Sequence, residues 1–278
     1  FIDDLSNGIW AICEESGWGF PAHMRLQSSG YTLPDVEEPT VDLFAAESAN
    51  YLAWLRYLLG ERLDAVSPLL GRRIKREIEL RVLQPLEERE DFFWMGFENV
   101  GDQSRVNNWN PWICSNWLSA VLLLVEEERR RRGAVEKILR TLDNFLDPYP
   151  EDGGCDEGPF YWNLAGGMLF DNLDLLSYAT GGAVDPFSLP KVKEIGRFVY
   201  RAHIADEFYL NFADAPAIVQ LEPTLLYDYG RRIDDDRLTD HALFVASSAT
   251  GERGGAAPSQ GRLPPNIRRR LRSIFLSA

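Results

Sequence analysis

The sequence predicts an all-α protein built from antiparallel helical hairpins arranged in a ring. Three observations carry that expectation. Apolar residues recur at helical spacing in one segment after another. Strand-like runs are scarce. Short and long connections alternate, as they do when successive helices double back on each other.

The elements follow in chain order. A first helix is expected over residues 2–15, with Leu5, Ile9 and Ile12 on one side. Residues 16–39 read as a long irregular stretch with glycines, prolines and serines, carrying Trp18 and His23. Connections of that length in a compact domain commonly carry function. A helix over 40–59 places Leu43, Ala46, Asn50, Trp54 and Tyr57 along one side, with Gly60 as its stop. Ser67 and Pro68 fit the N-cap and first turn of the next helix, which runs to about residue 89. Phe92, Phe93 and Trp94 then lead into a polar loop. Further helices are expected over 111–130, 133–146, 157–178, 189–205, 238–248 and 266–276. The basic run Arg129 to Arg132 reads as a helix C-terminus, where positive charge complements the dipole. Residues 251–265 are rich in Gly and Pro and read as a mobile connection.

Composition narrows the function classes. The chain has 278 residues, 45% hydrophobic and 26% charged, which suits one large globular domain. No window holds enough uninterrupted apolar residues to span a membrane, so no membrane partner is expected. The formal net charge of −14 argues against nucleic acid. The cysteines Cys13, Cys114 and Cys155 are widely spaced and show no metal-ligand pattern, so buried free thiols are expected. With only three histidines, no metal site and no cofactor are expected.

Two stretches concentrate chemistry. Residues 152–162 read Asp-Gly-Gly-Cys-Asp-Glu-Gly-Pro-Phe-Tyr-Trp. Gly153 and Gly154 permit positive φ or a close approach of the backbone. Pro159 fits the first turn of the following helix, so Tyr161 and Trp162 stand at its N-terminal mouth. The plainer reading is a helix–loop–helix corner with packed aromatics and Asp156 as a cap. Residues 106–117 hold four asparagines and three tryptophans. Carbohydrate sites use such pairs: the amide makes directed hydrogen bonds, and the indole packs on the apolar face of a sugar. Capping accounts for one asparagine, such as Asn110 before Pro111, but not for four.

In these two stretches, "NNWNPWICSNW" and "DGGCDEGPFYWN", the chain resembles the helical domain of heparinase II/III-like polysaccharide lyases. "IWAICEESGWGFPAHM" upstream and "NFADAPA" downstream resemble the same family, in the same order along the chain. The resemblance implies an (α/α) toroid followed by a C-terminal β-sandwich. The expectation is therefore a single toroid domain over 1–278, part of a longer protein whose β-sandwich is absent here. It also implies a periplasmic or secreted setting, with an anionic polysaccharide or oligosaccharide as partner.

A uronate polymer can be cleaved by β-elimination: a base takes the proton α to the carboxylate, and the 4-linked oxygen leaves. The resemblance implies that an Asn or His neutralises the carboxylate and a Tyr moves the protons. Asn108 is the best match for the neutraliser, with adjacent Asn107 as competitor, and Tyr161 for the base and acid. His23 is a further catalytic candidate, standing in for a histidine the family takes from its β-sandwich side. Substrate contacts are expected from Trp18, Arg105, Trp109, Asn110, Trp112, Asn116, Glu157 and Trp162. A uronate site needs local positive charge, with Arg25, Arg56, Arg105 and Arg201 as candidates. The alternatives are hydrolysis of unsaturated uronides by Asp152, Asp156 and Glu157, and sugar binding without turnover.

Overall fold

The computed structural model describes residues 1–98, 106–250 and 266–276. Helix makes up 67% and strand 2% of it, so the chain is all-α. It divides into two compact units, residues 1–148 and 149–278.

In the first unit, α1 (Ile2–Glu14) leads through an irregular stretch containing a 3-10 turn (Pro21–Leu26) to α2 (Leu43–Val66). α2 starts at Asp42, whose side chain accepts from the Ala45 N–H and so satisfies one of the free amides of the first turn. The helix runs straight through Gly60, where a stop was expected. Arg56 lies over Gly60, within 2.8 Å of where a Cβ would stand, and bonds Asp64 one turn further on. Tertiary packing of α2 thereby outweighs the modest helix penalty of one glycine.

Ser67 caps α3 (Pro68–Ile78), as its sequence signals. A π-helical turn (Glu79–Leu83) joins it to α4 (Gln84–Glu88). Pro85 has no N–H for the normal helical bond, and the widened turn before it absorbs that loss. A 3-10 turn (Phe93–Met95) carries the buried Trp94.

α5 (Trp109–Leu124) is buried on every side from Asn110 to Val121, which makes it the central helix of this unit. It packs on α2 and on α6 (Glu128–Leu146). The break falls at Val125–Glu127, where the Glu127 carboxylate accepts from the Arg129 and Arg130 amides. The basic run thus opens a helix; it does not close one. Its placement against the dipole is offset by ion pairs, Arg130 to Glu79 and Glu87 and Arg132 to Glu128.

The second unit begins with a short helical turn, α7 (Pro159–Trp162), then α8 (Gly166–Ala179) and α9 (Pro190–Arg201). The single helix expected over 157–178 is interrupted at residues 163–165. β1 (His203–Ala205) and β2 (Phe208–Tyr209) form a small antiparallel hairpin where a helix end was expected. α10 (Pro223–Ile233), which the periodicity did not reveal, packs on α9 and α11 (Asp236–Thr250). α12 (Ile267–Leu276) docks through Arg269, which is buried and bonds Asp171, Glu222 and the Gly167 carbonyl. The core is aromatic: Trp162 stacks on Tyr229, and Phe170 packs at a tilt against both Tyr229 and Phe187. Trp162 donates to the Ile195 carbonyl and Tyr229 to that of Val192, so both polar tips are tied to α9. Residues 251–265, expected to be a mobile connection, lie outside the described residues.

Candidate functional site

The chemistry expected from the sequence is distributed over both units. In the first, Asp42 is the organising group. It is fully buried, caps α2 with Oδ1, and accepts from the Phe20 N–H and from His23 with Oδ2. The His23 Nδ1 to Asp42 distance is 2.6 Å. A carboxylate can only accept, so it fixes Nδ1 as the protonated nitrogen and leaves Nε2 of a neutral ring as an acceptor.

Aromatic rings surround the imidazole. The edge of Trp109 meets His23 with centroids 4.5 Å apart, and Phe20 and Phe44 lie at 5.5 and 6.1 Å. Phe93 backs Trp109 at 5.2 Å. Phe20 and Phe44 are about half exposed, so the group presents an aromatic surface to solvent. Sequence reasoning missed Phe20, Phe44 and Asp42. The available signal was Asp42 itself, an N-cap residue placed before an apolar helix.

Asn108 is buried at the N-terminus of α5, directly before Trp109. Asn107, its competitor, is exposed, and its side-chain oxygen accepts from the Trp109 N–H at the start of α5. Asn110, expected to cap or to bind sugar, lies inside the helix at 0% exposure. It donates to the carbonyls of Trp94 and Thr141 and so ties α5 to two neighbouring segments. Asn116 is equally committed: it accepts from Asn50 and donates to the Trp112 carbonyl. Both asparagines are structural ties, because their amide nitrogens are spent on carbonyls inside the fold.

Trp112 is buried and donates to Glu47 at 2.8 Å. Burial, together with nearby Asp42, outweighs that bond and holds the Glu47 carboxyl above the usual range. Glu47 is a second group the sequence did not flag. Trp18 is also buried; its Nε1 donates to the Ile12 carbonyl, and it lines a cavity that includes neither His23 nor Trp109. Arg105 lies outside the described residues. Arg56 pairs with Asp64 and Arg201 with Glu194. Arg73, Arg76 and Arg81 line that cavity beside Trp18, and all three pair with Glu77.

In the second unit, Tyr161 is half-buried on α7. Burial, then the carboxylates of Asp214 and Glu157, hold its phenol above the usual tyrosine range. The loop carrying Asp214 reaches α7 because Gly158 lets it: a Cβ there would stand 2.7 Å from the Phe212 carbonyl oxygen, and φ is +87°. Gly158, with no side chain, holds the N-cap position that Asp156 was expected to fill. Gly153 (φ +77°) faces the backbone of Glu194 on α9, so its close approach is to protein. Asp152 is taken up by the Gly154 N–H. Trp162, expected to line the cleft, is instead a wholly buried core residue.

The three cysteines are free and buried. Burial pushes the Cys13 thiol up to about 11 and that of Cys155 up to about 12, which removes both as nucleophiles at neutral pH. Among the described residues no cluster of His, Cys, Asp or Glu has the makings of a metal site, and no helix is long and apolar enough to cross a membrane. A search of protein-family models and of curated proteins returns no match to this chain.

Proposed function

We propose that this chain acts on a uronate-containing polysaccharide as a lyase, cleaving by β-elimination, with its helices belonging to an (α/α) toroid. The observation that supports the reading is the His23–Asp42 pair, set in an exposed aromatic surface with Asn108 at the end of α5 beside Trp109. Aromatic faces hold a sugar ring, an amide opposes its carboxylate, and an oriented imidazole accepts a proton.

Three roles follow. Asn108 offsets the substrate carboxylate as the carbanion develops. His23 takes the α proton on Nε2, since Asp42 holds the other nitrogen protonated. In the second unit, the family resemblance gives Tyr161 the role of proton donor to a leaving oxygen, and a phenol raised by burial, then by Asp214 and Glu157, suits donation better than abstraction.

The test follows unsaturated uronate formation by its ultraviolet absorbance across a panel of uronate polymers. Product from at least one polymer, lost in Tyr161→Phe, supports the reading. Reducing ends without unsaturation indicate hydrolysis, and binding without any product indicates a sugar-binding domain.

A further inference from the structure

α2 and α5 lie side by side and run in the same direction. His23 meets Phe44 on α2 and Trp109 on α5. One turn further along, Glu47 accepts from the Trp112 indole at 2.8 Å. A turn beyond that, Asn50 donates to Asn116 at 2.7 Å. Residues three or four apart share one helix face, so these contacts stack as rungs along a single seam.

The rungs differ in what they leave open. Asn50 and Asn116 are both buried, and the Asn50 Oδ1 is shut away from water. Glu47 is half-buried. Its Oε1 is held by Trp112, while its Oε2 has no partner among the described residues and lies open to solvent. The indole bond holds the carboxylate in place, so the free oxygen is an ordered acceptor one turn below the exposed ring of Phe44 and the half-buried ring of Trp109.

The charge at these rungs is negative. Asp42 lies close enough to act on Glu47, and neither carboxylate is paired with an arginine or lysine among the described residues. A sugar hydroxyl can donate to such an oxygen. A sulfate ester has no hydrogen to give, and its charge is repelled.

We propose that Glu47 is a specificity-determining residue: its free oxygen accepts from a hydroxyl of the sugar ring lying on Phe44 and Trp109, and its charge excludes a sulfate ester at that hydroxyl. The substrate class is then a uronate polymer whose hydroxyls are free. This rests on the elimination reading for placing the sugar at His23. The formal net charge of −14 points the same way, because it opposes the gathering of a densely charged polymer.

Titration calorimetry on the intact chain tests it with alginate, hyaluronan and unsulfated chondroitin, each beside its fully O-sulfated derivative. Ultraviolet absorbance follows unsaturated product in the same samples. At least one free-hydroxyl polymer should bind about tenfold or more tightly than its sulfated derivative. Glu47→Gln keeps the size and an acceptor but removes the charge, so it should close most of that gap. Glu47→Ala should weaken binding of the free-hydroxyl polymer about tenfold or more, as loss of a hydrogen bond to a charged group implies. Melting temperatures of the free variants establish that they fold, and if Glu47→Ala does not fold, Glu47→Gln decides. A Glu47 that only supports Trp112 would leave the ratio of the two affinities unchanged in the folded variants, and that result overturns the proposal. So does a sulfated derivative that binds as tightly as its parent, or no binding of any of the three polymers. The expected ratios without unsaturated product would keep this role for Glu47 and remove elimination. Product with an unchanged ratio would do the reverse.

Discussion

Nδ1 of His23 lies 2.6 Å from Oδ2 of Asp42, and the same carboxylate caps α2 through its other oxygen. Orientation of the imidazole is thereby coupled to the start of a long helix. Asp42→Asn keeps an acceptor for the Ala45 amide but offers His23 an N–H, which favours the opposite tautomer. Stability should fall by about 1–3 kcal/mol, while unsaturated product formation should fall far more. Equal turnover in a folded Asp42→Asn would remove His23 from the mechanism.

Asn108→Ala should slow elimination by a factor corresponding to about 3–4 kcal/mol, the scale for removing one hydrogen bond to developing negative charge. Asn107→Ala should instead lower stability by about 1 kcal/mol through loss of the bond to the Trp109 amide in the first turn of α5. Comparing kcat and melting temperature for the two variants assigns the roles.

Trp109 and Trp162 should behave in opposite ways. Trp162→Ala empties a wholly buried site and loses the bond to the Ile195 carbonyl, for about 3–5 kcal/mol of stability. Trp109 is only half-buried, beside His23, so Trp109→Ala should change stability less and weaken oligosaccharide binding. Denaturant unfolding of both variants, with binding measured on the folded one, checks this.

The glycines divide by surroundings. A Cβ on Gly153 would stand 2.1 Å from the Glu194 carbonyl oxygen at φ +77°, so Gly153→Ala should unfold the second unit or shift α9. Gly133, inside α6, has nothing within 4 Å, so Gly133→Ala should stabilise by about 0.5–1 kcal/mol. Thermal unfolding of each variant gives the sign directly.

His241 is buried, and its Nε2 meets the Tyr209 hydroxyl at 2.9 Å, beside His203. Burial, then the His203 charge, lowers it to about 4. Its pKa is thus lower folded than unfolded, so the unfolded chain binds more protons between about pH 6.5 and 4. The stability it contributes is complete above pH 6.5 and is lost as pH falls towards 4, a change on the order of 3 kcal/mol. Unfolding free energies of the parent and of His241→Asn across that window should converge as pH falls. Parallel curves would show that His241 does not titrate this way.

The sequence by itself determined that the chain is helical, because apolar spacing is a local property of each segment. It located α1, the Ser67-Pro68 start of α3 and the long irregular stretch before α2, where caps and breakers act on immediate neighbours. It marked the two stretches that carry Asn108 and Tyr161. Tertiary structure decided what local signals leave open. Gly60 does not stop α2, because Arg56 and the packed faces of the helix sustain it. The basic run opens α6, because partners on α3's π turn and α4 neutralise it from far along the chain. Asn110 and Asn116 turned inward to bond carbonyls, and Trp162 turned into the core, since composition cannot say which way a polar aromatic or an amide faces. The pairing of His23 with Asp42 is also tertiary: 19 positions separate them, and only the fold of the intervening stretch brings imidazole and carboxylate within hydrogen-bond reach.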